Sequence, residues 1–315
     1  MLYICDMQSV ICVGSALTDE LYFSKESVIT GTSNPASVSK NIGGVLSNIV
    51  YHLSYLGVQI DYITVVGNDS DGKWIKDEFK KLNLNPENIH QVDDTTGKYV
   101  SFLNPDGSLH AAVCVDICEK YITPDFLNNK IKNLEQADII VCDTNISPAS
   151  IQWLINFAQN NNKLLIIEPV SVSKSKKLIG LNLNKVFMIT PNEDELSSIT
   201  GNSNHGIPEI QKYISENEVK NIWLRKGAAG SIFINKTNAV SLVAEEIKIT
   251  DSTGAGDAAL AGWIAGYVNQ LDELKCIQLG HCLAYEVLQL KGAVKHDITF
   301  SKLLDAHQKY YPNEQ

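Results

Sequence analysis

The stretch Asp251-Ser252-Thr253-Gly254-Ala255-Gly256-Asp257 places a glycine turn and a carboxylate at the mouth of a long apolar run that continues from Ala258. Gly254 and Gly256 allow a tight turn with its N–H groups facing outward. A helix beginning there adds a partial positive charge, so phosphate oxygens can be held at its mouth. Asp257 would then face an acceptor hydroxyl. Phosphoryl transfer needs positioning, N–H donors and a carboxylate to take the hydroxyl proton more than it needs covalent chemistry. The same residues also fit a plain helix start with glycines and a first-turn Asp, so the wider chain has to separate the two readings.

The chain has 315 residues, 44% hydrophobic and 20% charged, which suits one large core or two modest ones. A net charge of -10 disfavours nucleic acid or an anionic membrane as partner, because either would require a positive face, and a small molecule is expected instead. Arg225 is the only arginine. Bidentate arginine clamps are therefore nearly excluded, and phosphate binding falls to backbone N–H groups and lysines. Met1 to Val10 lacks a basic segment followed by an apolar leader, and nowhere do eighteen apolar residues follow one another, so a cytoplasmic protein is expected. The seven cysteines (Cys5, Cys12, Cys114, Cys118, Cys142, Cys276, Cys282) show no C-x-x-C and read as small buried hydrophobes in a reducing compartment.

Short β-branched runs alternate with longer amphipathic stretches, the pattern of a parallel sheet covered by helices on both faces. Strands are expected at Val10–Ser15, Ile60–Val66, Ile139–Cys142, Leu164–Glu168, Phe187–Thr190, Ile222–Arg225 and Ser231–Ile234, and helices at Gly44–Leu56, Ile151–Ala158 and Leu271–Leu290. Two segments, about 21–39 and 95–116, break the alternation and read as hairpins, with Asn104-Pro-Asp-Gly107 a turn between alternating runs. The expected architecture is a single α/β domain over 1–315, with a small β-sheet lid above the carboxyl ends of the parallel strands.

The Asp251–Asp257 stretch resembles the C-terminal signature of the ribokinase-like (PfkB) carbohydrate kinases, and Gly43-Gly44 with Asn48 resembles their N-terminal glycine signature. Between them, Pro191-Asn192-Glu-Asp-Glu195 is similar to the family's N-x-x-E element and Lys226-Gly227-Ala-Ala-Gly230 to its nucleotide-binding turn. The resemblance covers essentially the whole chain. It implies the ribokinase-like three-layer α/β/α fold with a mostly parallel sheet, ATP and Mg²⁺ as cofactors, and a homodimer formed through the lid. Gly14-Ser-Ala16 with Asp19, Ser33-Asn34-Pro35, Asp143-Thr-Asn-Ile-Ser147 and Glu168-Pro-Val-Ser171 further resemble the branch that phosphorylates the 5′-hydroxyl of pseudouridine. Leu17, Ser47 and Glu168 stand where that branch often has Asn, Arg and Asp.

Residue by residue, the resemblance implies Asp257 as general base, with Gly254, Ala255 and Gly256 completing an anion hole. Ser15, Asp19, Gly43, Gly44, Asn48, Asn145 and Glu168 fall on the acceptor side. Asp19 is a short carboxylate able to accept from two ribose hydroxyls, or else a turn cap; Asn145 is either a ribose contact or part of a helix start near Pro148. Asn34, Tyr99, Ser101 and Asp116 lie in the lid segments, where a base would be read. A uracil joined through carbon has a ring N–H that uridine lacks, and Asp116 or Asn34 could supply its acceptor. Asn192, Arg225, Gly227, Gly230, Thr253 and His281 fall on the nucleotide side. Asn192 and Glu195 would organise Mg²⁺ through water, although an N-cap Asn with first-turn acids is also good helix chemistry. Asp251 is a candidate for a monovalent cation such as K⁺. A ribokinase or another sugar or nucleoside kinase would share Asp19, Gly44, Asn48 and Asp257 and differ in the lid; a catalytically silent sensor would be expected to lack the intact base and anion hole seen here.

Overall fold

The computed structural model describes residues 8–312. In chain order the strands are β1 (Val10–Val13), β2 (Leu17–Ser24), β3 (Ala36–Gly43), β4 (Ile60–Gly67), β5 (Ile89–Val92), β6 (Lys98–Leu103), β7 (Leu109–Val115), β8 (Ile139–Asp143), β9 (Leu164–Glu168), β10 (Met188–Ile189), β11 (Asn221–Arg225), β12 (Ser231–Asn235) and β13 (Ala239–Leu242). Nine of them make one sheet in the order β13-β12-β11-β10-β9-β8-β1-β4-β5; the other four make a separate sheet in the order β3-β2-β6-β7. The large sheet is parallel from β11 through β5, and β12 and β13 add an antiparallel edge.

Alternate residues on each parallel strand supply opposite cores, which is why these strands read as continuous apolar runs. Val10, Cys12, Val141, Ile166 and Trp223 pack beneath the helices Val45–Tyr55, Ala255–Val268 and Glu273–Leu288. Ile11, Val13, Ile140, Ile167 and Leu224 pack on the other face, under helices that include Pro148–Asn160, Glu193–Thr200 and Ile207–Asn217. The result is three layers, helix over sheet over helix. Among the described residues, no helix is long and apolar enough to cross a membrane. Cys12, Cys118, Cys142, Cys276 and Cys282 are buried free thiols; Cys114 is exposed, and Cys5 lies outside the described residues.

Chain direction changes between β1 and β8. From β1 the chain passes to β4 and β5 on one side, while β8 leads to β9, β10 and β11 on the other. The carboxyl ends of β1 and β8 therefore flank a crevice of the kind in which α/β sheets bind ligands.

The two segments expected as hairpins do form the small sheet, but it extends beyond them. β2 begins at Leu17 and β3 runs to Gly43, in register from Leu17↔Gly43 to Ser24↔Ala36. Asp19 thus lies within β2, not at the end of the first strand, because β1 stops at Val13 and a new strand starts at Leu17. The Asn104–Gly107 turn forms as expected, with the Gly107 N–H donating to Asn104 O at 2.9 Å. β5 and β13 were not anticipated: four residues each, they carry too little alternation to stand out.

Candidate active site

Four neighbouring strands end in polar side chains on the same edge of the sheet. Asp143 closes β8, Glu168 closes β9, Thr190 follows β10 and Arg225 closes β11. Arg225 Nη2 donates to both Glu168 oxygens at 2.8 Å and also to the Thr190 carbonyl, while Thr190 Oγ1 donates to Glu168 Oε2 at 2.6 Å. Burial opposes the arginine charge, but the Glu168 carboxylate outweighs it and raises the Arg225 pKa. Glu168, expected on the acceptor side, thus has its carboxylate engaged by the guanidinium. A pair this buried is costly to break, since removing one partner strands the other charge.

Gly254 is the N-cap of the helix Ala255–Val268, at φ 75°, and supplies no side chain to cap it. A left-handed backbone is cheap only for glycine, and a Cβ here would also fall 2.5 Å from the Ala293 side chain. Among the described residues, the Gly256 and Asp257 N–H groups meet no acceptor, and the Ala255 N–H has only a long 3.4 Å contact to Ser252 O. These amides are open donors at the positive end of the helix. A Cβ on Gly256 would stand 2.7 Å from Arg225 Nη1, so the glycine keeps the guanidinium against the helix mouth.

Asp257, in the first turn, accepts a 2.8 Å hydrogen bond from Asn48 Nδ2. Burial pushes its carboxyl up to about 7, against the lowering effect of Asn48, with Glu168 raising it further and Arg225 lowering it. Asn48 comes from the helix Val45–Tyr55, whose N-cap Gly44 sits at φ 99°. A Cβ on Gly44 would approach Ser15 O to 2.6 Å. The two glycine signatures, some two hundred residues apart, are therefore joined directly by one hydrogen bond.

Ser15, Asp143 and Asn145 meet at the mouth of the crevice. Asn145 Nδ2 donates to Ser15 Oγ and to Asp143 Oδ2, both at 2.7 Å, and the Ser15 and Asn145 amides also donate to Asp143. Burial raises the Asp143 pKa to about 6, partly offset by Asn145. Asn145 Oδ1 accepts from Lys174 Nζ. On the small sheet, Asp19 faces Asn41 across the β2–β3 pair and Tyr99 across the β2–β6 pair. Burial raises the Asp19 pKa to about 6, and a Cβ on Gly43 would overlap its carboxylate at 2.2 Å. Ser101 follows Tyr99 on the same face; its Oγ is buried, without a hydrogen-bond partner among the described residues. Asp116, just after β7, accepts from the Cys118 N–H at 2.9 Å through Oδ1, and its Oδ2 lies 3.6 Å from Lys174 Nζ.

Asn34 stands apart from these groups. Its amide accepts from the Ile29 N–H at 2.8 Å and donates to Ile29 O and Thr32 O, so it ties up the exposed loop between β2 and β3 instead of facing the crevice. Its short side chain finds local backbone partners first, as Asn does in turns.

Of the residues expected on the nucleotide side, Asn192 and Glu195 form a capping box: Asn192 Oδ1 accepts from the Glu195 N–H at 2.8 Å, and Glu195 Oε2 accepts from the Asn192 N–H at 2.9 Å. Gly227 and Gly230 shape the turn after β11, at φ 56° and 90°. Asp251 accepts from the Thr253 N–H and Oγ1 and from the Gly292 N–H at 2.7–3.1 Å, which pins the glycine turn to the 292 loop. Burial alone would raise its pKa, but these bonds hold it below the ordinary value. His281, expected beside the nucleotide, is instead buried between Ser231 Oγ at 2.7 Å and Tyr285 Oη at 3.2 Å, and burial lowers its pKa to about 4. It ties the helix Glu273–Leu288 to β12, the ordinary role of a polar residue on a packed helix face.

Asp143, Thr190 and Lys174 belong to this constellation without having been singled out as site residues. A carboxylate closing the apolar run Ile139–Cys142 was a usable signal for Asp143. Lys174 had none, being one lysine in the surface-like Ser173-Lys-Ser-Lys-Lys177.

Residues 7–298 match the pfkB family of carbohydrate kinases. The chain is 27% identical over 301 residues to the pseudouridine kinase of Escherichia coli (strain K12), covering 94% of this chain and 95% of that one. It is 22% identical to the guanosine-inosine kinase of Exiguobacterium acetylicum, over 90% and 95% of the two chains. The ribokinase of Arabidopsis thaliana, solved with ribose and ATP, superposes with a TM-score of 0.80 at 18% identity, over 96% of this chain and 99% of that one. With the ribokinase-like fold shared along its length, this chain belongs to the pfkB carbohydrate kinase family, phosphotransferases whose acceptor is a hydroxyl.

Proposed function

We propose that the protein transfers the γ-phosphoryl group of ATP to the 5′-hydroxyl of pseudouridine, giving pseudouridine 5′-phosphate and ADP. The observation that carries the catalytic part is Asp257: a half-buried carboxylate held by Asn48 at 2.8 Å, poised near neutrality, in the first turn of a helix whose leading amides are open. Asp257 takes the hydroxyl proton as the new oxygen–phosphorus bond forms. The Ala255, Gly256 and Asp257 amides donate to the oxygens that gain charge, and Arg225 stands against the same helix mouth.

The residues fit a triphosphate, because among the described residues the Gly256 and Asp257 amides are open donors and the Arg225 guanidinium stands against them. ATP supplies the phosphoryl group and Mg²⁺ the charge neutralisation. Glu195 Oε1 lies outside the capping box and would hold a water of that ion, whereas Asn192 Oδ1 is already engaged as a cap. On the acceptor side, Asp19 accepts from ribose hydroxyls, Gly43 and Gly44 let the sugar approach the backbone, and Asn145, whose two amide protons go to Ser15 and Asp143, offers the second lone pair of Oδ1.

The small sheet acts as a lid whose inner face carries Asp19, Tyr99 and Ser101. Its outer face exposes Val38, Phe102, Val113 and Val115 to between 45% and 60%, and we assign that face to a homodimer contact. The choice of pseudouridine is supported by the full-length similarity to the Escherichia coli enzyme and by the polar wall of Asn145, Asp116 and Lys174. The test is ADP release with Mg-ATP against pseudouridine, uridine, cytidine, adenosine, ribose and fructose 6-phosphate. Preference for pseudouridine is expected; preference for ribose or another nucleoside would keep the mechanism and overturn the substrate.

A further inference from the structure

We propose that Lys174 and Asp116 act together as a donor–acceptor pair that reads a carbonyl and the adjacent N–H of a uracil-type base, a specificity that rests on the nucleoside-kinase reading above. Lys174 comes from the short helix Val172–Ser175, and its ammonium donates to Asn145 Oδ1. An ammonium has three protons to give, so two remain after that bond. The next acceptor, Asp116 Oδ2, lies 3.6 Å away, too far for a hydrogen bond. Among the described residues that buried oxygen has no hydrogen-bond partner, while Oδ1 of the same carboxylate is taken by the Cys118 N–H. A loose ion pair thus keeps a donor with protons to spare beside an acceptor oxygen that it does not hydrogen-bond.

They also stand where a base would lie. Lys174 is bonded to the Asn145 amide that links to Ser15 and Asp143 in the crevice. Asp116 follows β7, whose Cys114 pairs with Tyr99, which in turn pairs with Asp19. The sugar-facing carboxylate and the Lys174–Asp116 pair are thus at two points of one wall.

The chain accepts strain to put Lys174 there. Val170 sits at φ 68°, a left-handed conformation that a β-branched residue rarely adopts. The Ser171 N–H closes the turn onto Pro169 O at 2.8 Å, Thr144 Oγ1 holds the same carbonyl at 2.5 Å, and Ser171 Oγ caps the Lys174 N–H at 3.4 Å. The reversal directly after Glu168 sends the chain back across the crevice and returns a lysine to Asn145.

A uracil edge satisfies both groups at once: Lys174 donates to a ring carbonyl and Asp116 Oδ2 accepts from the N–H beside it. In a carbon-linked uracil that N–H can be the one that uridine lacks, which makes Asp116 the group that separates the two nucleosides. The experiment is steady-state kinetics with pseudouridine and uridine for the parent enzyme, Lys174→Met, Lys174→Gln and Asp116→Asn. Ribose, as substrate or competitive inhibitor, is the reference that has no base. Asp116→Asn retains an oxygen for the Cys118 N–H, and Lys174→Gln retains a polar donor, so one of the set is expected to fold if another does not. Expected is a loss in kcat/KM for pseudouridine of roughly 10- to 100-fold in Lys174→Met and Asp116→Asn, the size of leaving a buried partner unpaired. The ribose KM or Ki and the ATP KM should stay within about twofold, a split that general loss of site geometry would not produce. Asp116→Asn should also narrow the preference for pseudouridine over uridine, and Lys174→Gln should recover part of the Lys174→Met loss. Equal losses for pseudouridine and ribose would overturn the pair and reduce Lys174 to an orienting partner of Asn145, with the kinase reading intact. A parent enzyme that does not turn over pseudouridine would overturn the substrate reading itself.

Discussion

Two helices begin beside Arg225, and they begin in opposite ways. The helix Glu193–Thr200 starts at Asn192, whose side chain and that of Glu195 close each other's backbone amides in a reciprocal box. The helix Ala255–Val268 starts at Gly254 in a left-handed conformation, with no side chain to close anything. Several other helix starts resemble the first: Asp69, Ser147, Asp272 and Thr299 each cap with a side-chain oxygen, whereas the helix Ile207–Asn217 begins at Gly206 without one. Gly44 resembles the second, at φ 99° and without a side-chain cap. A side-chain cap typically contributes about 1 kcal/mol, and the helices that carry Asn48 and Asp257 both forgo it. Beside Arg225, then, one helix closes its first amides with side chains and the other leaves them open.

The sharpest way to break this contrast is Asp257→Asn. It keeps the shape and the proximity of Asn48 but removes the proton acceptor, so kcat should fall by roughly 10²- to 10⁴-fold while nucleoside binding by calorimetry stays near the parent value. Parent-level turnover would remove Asp257 from the mechanism. The same group sets a pH dependence. With its pKa raised to about 7, Asp257 is increasingly protonated below neutrality, so parent kcat should decline as pH falls through that region. For stability the sign is reversed: a carboxyl raised by folding favours the native state at low pH and loses that contribution as pH rises through about 7. Asp257→Asn should therefore melt higher than the parent at pH 8, and the gap should close toward pH 5.

Gly256→Val tests the open helix mouth itself. The added side chain meets Arg225 Nη1 and screens the amides, so kcat should fall by about 10²-fold or more, comparable to losing an oxyanion donor. An unchanged rate would mean that the turn is not the anion hole. Asp19→Ala moves the test to the acceptor side: its KM for the nucleoside should rise about tenfold or more, with the ATP KM little changed. A shift in the ATP KM instead would show that the two subsites have been exchanged. The smallest effect is expected at the capped helix. Asn192→Ala should cost about 1 kcal/mol in denaturant unfolding and leave the Mg²⁺ concentration for half-maximal rate nearly unchanged. A large change in that Mg²⁺ requirement would make Asn192 a metal-organising residue and blur the contrast between the two helices.

Much of this was legible before any coordinates. Strands buried on both faces declare themselves as apolar runs, so the parallel sheet could be read from Val10, Ile139 and Leu164 onward. Asp257, Gly254 and Asn48 carried local signals, since a glycine turn before an apolar helix looks the same in sequence as in space. What escaped depends on partners distant in the chain. Lys174 gains meaning only from Asn145 and Asp116, and Glu168 only from Arg225 at the end of another strand. Asn34 and His281 show the converse: a polar residue in the expected segment is engaged by its own loop or its own helix packing, which the sequence does not reveal.

Arg225 offers a further use that follows from its being alone. A protein with one arginine has one guanidinium to observe, so growth on ¹⁵N-labelled arginine yields a side-chain spectrum with a single source. That source is fastened to Glu168 and Thr190 and stands against Gly256, at the seam between the two halves of the site. Titrating nucleotide and acceptor separately against that one resonance would reveal which half each ligand fills, without a mutation or an attached probe.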